Sequence, residues 1–442
     1  MIVGAIGAAI GLLVLLVVGV RAPPFIAFVL AATLAALLLG IPPAHIPAAI
    51  EKGIGDMIGP IVVLIVLGAL FGRLIADSGA ARRIADALIA LFGQPRLPLA
   101  MAATGLLVGI PLFYNVGFVL MVPLIFSVVR RAGLPAVYVG VPLLAGLSIA
   151  HGFLPPHPSP TALVAQFHAD FGRTLILGLI VGVPTLAIAG PLFAMTLKRI
   201  APAGPVAGLT EAGGAAAEAE ARPLPGLVAS FACALLPVVL IAGATALAAL
   251  PLAPGTQAAI AFLGHPDIVL LVAILVAMAA LGPASGLSLA AMMEGFTAAI
   301  RDIAPILLII AGAGALKEVL VESGADKSLA AGLIGLPVSP LLLGWLLACV
   351  IRVALGSATV AGLTAAGLIQ PALAGSGVDP SLMVLAIGAG SLMCSHVNDS
   401  GFWMFKEYFG LSLRDTFRSW SLMETLVGLF GLVFVLLLSA WL

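Results

Sequence analysis

The sequence predicts an all-α polytopic membrane protein. Its two halves form an inverted-topology repeat, each with a re-entrant hairpin and a broken helix. Three observations predict this. Of 442 residues, 62% are hydrophobic and 9% charged, and mean hydropathy is +1.26, more apolar surface than a water-soluble chain of this size can bury. The apolar runs are continuous, unlike the alternating segments of about ten residues in a membrane β-barrel. Residues of the first half also recur in the second at one constant spacing, 60 + 245 = 305 for the first matched proline.

In chain order, residues 2–20 and 24–39 read as two spans joined at Arg21. The opening run lacks the basic start and the small-residue cleavage site of a signal peptide, so it reads as a membrane helix. Residues 41–57 carry His45, Glu51, Lys52 and Asp56 and read as an interfacial segment entering the span 59–76, which at 1.5 Å per residue is about 27 Å long. Arg73, Asp77, Arg82, Arg83, Asp86 and Arg96 follow, a basic cluster that belongs on the cytoplasmic side.

Residues 97–129 hold Gly109-Ile110-Pro111-Leu112-Phe113-Tyr114-Asn115 in their middle and end at Arg130-Arg131. A helix–break–helix hairpin entering and leaving on the cytoplasmic side fits that pattern. Residues 136–150 are apolar and break over 151–160, where Pro155, Pro156, Pro158 and Pro160 oppose helix continuation. Residues 173–197 cross again. Residues 1–197 thus form the first half, and 198–225, rich in Ala, Gly, Pro and Glu, a cytoplasmic linker.

The second half, 226–442, opens with spans at 225–250 and 268–281, and 294–302 leads into a span at 303–320. A polar break at 352–359 marks a second hairpin tip. The run 382–393 is broken at 395–401, and Lys406, Arg414 and Arg418 precede a last span at 422–442.

Adding 245 carries Pro60 to Pro305, Ser78-Gly79-Ala80 to Ser323-Gly324-Ala325, Gly117 to Gly362 and His151 to His396, without a gap. Ala85, Leu88 and Ile89 land on Ala330, Leu333 and Ile334. With the linker inside, the span count makes matching helices run in opposite directions, the plan of many secondary transporters.

The four breaks carry the chemistry. Free backbone groups and half-helix ends at membrane depth attract ions, and ionisable residues there mark pathways. Asn115 at the first tip reads as a substrate ligand or as a turn asparagine. Ser357 and Thr359 at the second tip read as hydroxyl ligands or as small residues for close packing. Arg352 offers a fork for a carboxylate, or snorkels at a helix end. His151, His157 and Ser159 occupy the first helix break, and His396, Asn398 and Asp399 the second. Asp399 is the carboxylate of that break and reads as a proton carrier or as a helix N-cap.

Net charge is +0, which argues against a nucleic-acid partner. Cys233, Cys349 and Cys394 form no C-x-x-C pair. No G-x-x-x-x-G-K-[ST], H-E-x-x-H or G-x-S-x-G occurs, so the sequence predicts no enzyme, no metal and no cofactor.

The stretches PLFYNVGFVLMVPLIF, GLSIAHGFLPPHPSPTALV, RVALGSATVAG and SHVNDSGFWMFKEYFGLS resemble the gluconate permease family, and the likeness runs along nearly the whole chain. The resemblance implies an elevator-type member of the ion-transporter superfamily in a bacterial inner membrane, working as a homodimer. It implies import of gluconate or a related small hydroxy acid with protons. Within that frame Arg352, Asn115, Ser357, Thr359, Asn398 and Ser159 are the expected substrate ligands. Asp399, His151, His396 and His157 are the expected proton-coupling residues. A sodium-coupled carboxylate or D-serine/hydroxy-acid carrier is the alternative of the same class, and a passive anion channel that of another.

Overall fold

In the computed structural model, residues 2–202, 223–248, 250, 252–325, 338–373, 376–397 and 399–442 are described, and for Asn115 the backbone alone. The matches at 330, 333 and 334 and the site residue Asn398 lie outside this set, as does most of the linker. Among the described residues all regular structure is helical.

The first half runs α1 (Ile2–Val14, prolonged by a wider π turn), α2 (Pro24–Leu38), α3 (Ile46–Ile58), α4 (Val62–Asp77), α5 (Ala80–Phe92), α6 (Leu97–Gly109), α7 (Tyr114–Ala132), α8 (Ala136–Phe153), α9 (Pro158–Phe167) and α10 (Phe171–Ala187, continued by tighter and wider turns to Leu197). The second half runs α11 (Leu227–Ala248), α12 (Pro254–Leu263), α13 (Pro266–Ala284), α14 (Leu289–Glu322), α15 (Pro340–Leu355), α16 (Ala358–Leu373), α17 (Pro380–Leu392), α18 (Ser400–Phe409), α19 (Leu413–Thr416) and α20 (Leu422–Ser439).

Among the described residues six helices are long and apolar enough to cross a bilayer, or seven if the bent pair α3–α4 counts as one span. The chain is an integral membrane protein.

Most expected elements are present, with three differences. Residues 294–320 are not two pieces but part of one 34-residue helix, α14, with Pro305 inside it. The matching Pro60 does coincide with a break, and α3 and α4 meet there at 47°. The residue before Pro60 is Gly59, whereas Ala304 precedes Pro305; glycine costs a helix about 1 kcal/mol relative to alanine. The second difference is α12, ten exposed or half-exposed residues too short for a span. The third is the last crossing, which starts nine residues early, at Leu413, and passes through a π turn at Phe417–Ser421.

Helix starts and stops follow local chemistry. Asp170 caps α10 by accepting from the Arg173 amide at 2.5 Å, and Asp379 caps α17 by accepting from the Ser381 amide at 2.7 Å. Gly356 ends α15 at φ 77°, a left-handed turn that glycine adopts without strain.

The helices pack in two groups. In one, α2, α3, α4, α13 and α14 lie against each other; in the other, α6, α8, α9, α10, α15, α16, α17 and α20 do. Apolar side chains gain little by leaving lipid for a protein interior, so close backbone approach carries the packing. On α6, a Cβ added at Gly105 would lie 1.9 Å from the Leu143 carbonyl oxygen of α8. On α3, one added at Gly53 would lie 2.4 Å from the Gly314 carbonyl oxygen of α14.

Gly105→Leu therefore forces α6 and α8 apart. We expect it to destabilise the detergent-purified protein by about 1–3 kcal/mol or more, read as a lowered thermal unfolding midpoint. Gly255→Leu, where nothing lies within 4 Å of the added Cβ, serves as the control and should leave the midpoint in place.

Candidate functional site

Four short segments interrupt the helices inside the second group: 110–113, 154–157, 356–357 and 393–399. Each is followed by a helix N-terminus, of α7, α9, α16 and α18 respectively. The first break is narrower than its prolines suggested. Pro158 and Pro160 lie within the first turn of α9, where proline's missing N–H costs nothing.

All four N-termini open on one cavity of about 710 Å³, whose wall includes Tyr114, Pro158, Thr359 and Gly401 from their first turns. The opening turns of α7 and α9 have no side-chain cap. The free amides of α7, the Ser159 amide between the two prolines of α9 and the helix dipoles make the cavity favourable to negative charge. Residues from α4 and α14 complete the wall.

The cavity is charged at both ends. Toward solvent lies Arg73, hydrogen-bonded to Asp77 at 2.8 Å, with side chains 34% and 30% exposed. At depth lies Arg352, with its side chain 4% exposed, ion-paired to Asp399 at 2.5 Å. The Arg352 guanidinium also donates to the Gly356 carbonyl oxygen, which ties it to the break between α15 and α16. Asp399 accepts from the Gly401 amide at 3.0 Å and so caps α18 while it holds Arg352. The two readings of Asp399, cap and charged partner, are both realised in one side chain.

Behind Asp399 stands a polar brace. The Ser395 hydroxyl donates to Asp399 and accepts from Trp420 Nε1 at 2.7 Å. The Ser421 hydroxyl donates to the Ser395 carbonyl oxygen. The Trp420 ring stacks on Phe405, with ring centroids 5.4 Å apart. The π turn at 417–421 sets these two side chains toward the broken segment.

The expected site residues separate into groups. Arg352, Ser357, Thr359, Asp399 and His151 line the cavity. Ser357 Oγ also accepts from the Val360 amide at 3.4 Å, at the start of α16. His157 is buried beside the wall. Its Nε2 lies 2.7 Å from the Gly109 carbonyl oxygen, and its ring stands edge-on to His151 at 5.8 Å.

Ser159 is buried within α9 and is not part of the cavity wall. His396, expected to join His151, is not part of the wall either; its Nε2 lies 3.0 Å from the Val353 carbonyl oxygen, and the residue is partly exposed. Asn115 occupies the first turn of α7, beside Tyr114.

One cavity residue escaped the sequence reading. Glu424, 3% exposed, lines the cavity from α20, and its Oε1 accepts from Ser148 of α8 at 2.5 Å. The available signal was a single carboxylate three residues into an apolar run, which membrane depth makes costly. Its counterpart at the 245 spacing, 424 − 245 = 179, is Leu179, so the repeat drew no attention to it.

The model of the GntP family permeases matches residues 1–441. The chain is 44% identical over 429 residues to a protein of Escherichia coli (strain K12) named high-affinity gluconate transporter, covering 97% of both. It is 43% identical to the Gnt-II system L-idonate transporter of the same organism and 41% identical to the gluconate permease of Bacillus subtilis (strain 168), covering 98% of this chain and of each relative. Among solved structures, the YdaH transporter of Alcanivorax borkumensis superposes with a TM-score of 0.66 at 18% identity, over 94% of this chain and 97% of that one. MtrF of Neisseria gonorrhoeae gives 0.62 at 15% identity, over 95% and 94%. These two likenesses show a shared fold.

Trp420→Phe keeps an aromatic ring against Phe405 but deletes the donor to Ser395, a loss worth about 0.5–1.5 kcal/mol. We expect faster deuterium exchange at the amides of 395–401, measured by mass spectrometry, with exchange in α6 unchanged.

Proposed function

We propose that this chain, which belongs to the GntP family of permeases and is a transport protein rather than an enzyme, imports gluconate or a closely related sugar acid by proton symport. The observation that carries the reading is the Arg352–Asp399 ion pair, set where four helix N-termini open on one cavity. The relatives named for gluconate and L-idonate give the substrate class.

Both substrates are polyhydroxy monocarboxylates, which ask for one anion site among several hydroxyl ligands. Arg352 and the helix N-termini serve the carboxylate. Ser357, Thr359, Asn115, Asn398 and, from behind the wall, Ser159 serve or position the hydroxyl ligands.

Coupling follows from competition for one guanidinium. With Asp399 ionised, its carboxylate occupies Arg352. A proton on Asp399 weakens that pair and frees the fork for the substrate carboxylate, so proton and anion enter together. Each alone leaves a buried charge uncompensated, which is costly. Desolvation disfavours an empty, charged site during the return as well, and the re-formed Arg352–Asp399 pair removes that cost. His151, His157 and His396 are the further proton sites, with His151 the one in the wall. One anion moving with one proton is electroneutral, whereas each additional proton would add about 2.3 kcal/mol per 100 mV of membrane potential.

An inverted repeat moving as an elevator is the architecture we assign. The helix bounds support it: 97 + 245 = 342 falls in α15, 136 + 245 = 381 in α17 and 171 + 245 = 416 in the last crossing. Local geometry supports it too. Ser78 Oγ accepts from the Ala80 amide at 3.4 Å, Ser323 Oγ accepts from the Ala325 amide at 3.4 Å, and Gly79 and Gly324 have φ of 76° and 69°.

Exchanged contacts agree as well. Phe28 of α2 lies against Gly312 of α14, and Leu270 of α13 lies against Gly68 of α4. The differences 312 − 245 = 67 and 270 − 245 = 25 fall one residue from Gly68 and three from Phe28, within one helical turn, which supports the same helix pairing in both halves. The two packing groups supply the scaffold and the moving body. A homodimer in a bacterial inner membrane completes the assembly.

Proteoliposomes loaded for separate pH and sodium gradients test the reading with labelled gluconate. A pH gradient should drive accumulation and a sodium gradient should not; accumulation driven by sodium alone would overturn proton symport, and equilibration without accumulation would indicate a channel.

Asp399→Asn should abolish gradient-driven accumulation. Arg352→Lys, which keeps the charge but loses the fork, should raise KM by roughly tenfold or more.

A further inference from the structure

Glu424 has no place in the scheme above, although it lines the same cavity. Its surroundings contrast with those of Asp399. Asp399 has a guanidinium at 2.5 Å, the Ser395 hydroxyl and the Gly401 amide, a set of donors suited to an ionised carboxylate. Glu424 has one hydroxyl donor, Ser148, on Oε1, and its buried Oε2 has no protein partner. Among the described residues no cation forms an ion pair with it.

The charged and titratable groups facing it are Tyr114 of α7, His151 of α8, Arg352 of α15 and Asp399 before α18. Arg352 is already engaged. The helices packed along α20 add little, since α17 carries no ionisable side chain and α10 carries Arg173, ion-paired with Asp379 at 2.6 Å.

We propose that Glu424 is a neutral carboxylic acid throughout the transport cycle and that its free carboxyl oxygen donates a hydrogen bond to the bound sugar acid. The proposal rests on the substrate class assigned above. An ionised carboxylate 3% exposed with one hydroxyl partner is heavily penalised. It would also repel an anion entering the same cavity.

The neutral form removes both costs. It accepts from Ser148 on one oxygen and offers O–H from the other, an arrangement that suits a carboxylate or hydroxyl oxygen of the substrate. Two carboxylates of one site thus hold different protonation states because their donors differ, which is a recurrent way of dividing roles. Asp399 exchanges its proton with each cycle, and Glu424 keeps its own. It is a binding residue and not a second coupling group.

Infrared difference spectroscopy on the full-length protein in lipid vesicles reads the proton directly. We expect a protonated-carboxyl C=O band at pH 7 that is absent in Glu424→Gln and shifts to lower frequency, without losing intensity, when gluconate is added. In transport, Glu424→Gln retains an N–H donor and should change KM by less than about threefold. Glu424→Ala should raise KM on the order of tenfold, the loss of one good hydrogen bond to a charged group, with the accumulation ratio at saturating gluconate preserved.

No such band at pH 7 would show an ionised Glu424 and overturn the proposal. A band that disappears on gluconate binding, or lost accumulation in Glu424→Gln, would make the residue a coupling group and overturn it equally. If Glu424→Ala fails to fold, the wild-type and Glu424→Gln spectra decide the question. Failure of the symport reading appears separately, as wild-type uptake indifferent to the pH gradient.

Discussion

A guanidinium with 4% of its side chain exposed, inside a bundle of membrane-crossing helices, is the constraint around which the deep part of this protein is built. Arg352 cannot shed its charge, so its neighbours supply acceptors to its two terminal nitrogens, while its buried Nε has no protein partner. Gly356 turns the chain back at positive φ and presents its carbonyl oxygen. Asp399 leaves the end of a broken helix to meet it, and Ser395, Trp420 and Ser421 hold Asp399 in turn. The break at 356–357, the break at 393–399 and the last crossing are joined through one side chain.

That dependence explains which features were legible in the sequence. Helix breaks announce themselves as polar or proline-rich interruptions of apolar runs: 110–113, 154–157 and 356–357 fall inside the stretches so marked, and 393–399 begins two residues ahead of the stretch 395–401. Arg352 and Asp399 stood out because charge at membrane depth is expensive. Their pairing was not legible. Forty-seven residues separate them, and nothing in either local pattern states that one helix end faces the other. Trp420 was invisible for a similar reason: its role depends on a π turn, a change of one residue per turn that apolar periodicity does not record. His396 shows the opposite failure. Its match to His151 is real in the sequence, yet Val353 holds its ring away from the cavity wall.

The 245-residue correspondence accounts for shape and leaves the chemistry unequal. Subtracting 245 from Arg352, Asp399 and Glu424 gives Leu107, Leu154 and Leu179. The first half contributes aromatic and imidazole rings at depth, with His151 in ring contact with both Tyr114 and His157, and the second contributes the permanent charges there. Symmetric charges would place a second guanidinium at the deep, low-dielectric end of the cavity, at several kcal/mol of desolvation after relaxation. Under the proposed repeat, duplicated geometry with unduplicated charge keeps the helix N-termini convergent and confines that expense to one residue.

The same inequality bears on how the site can reverse its charge during a cycle. The deep end of the cavity, with one guanidinium and one ionised carboxylate, is neutral when empty, because each satisfies the other. Adding an anion alone makes it negative, and adding a proton alone makes it positive; adding both restores neutrality. The low-energy states of such a cavity are therefore the two in which a carrier can move through a bilayer, empty with the pair closed or loaded with both partners. A second ionised carboxylate would shift that balance by one unit and make the empty site negative. On the proposed symport, coupling of this kind needs a neutral neighbour, and the single-hydroxyl environment of Glu424 suits a neutral acid.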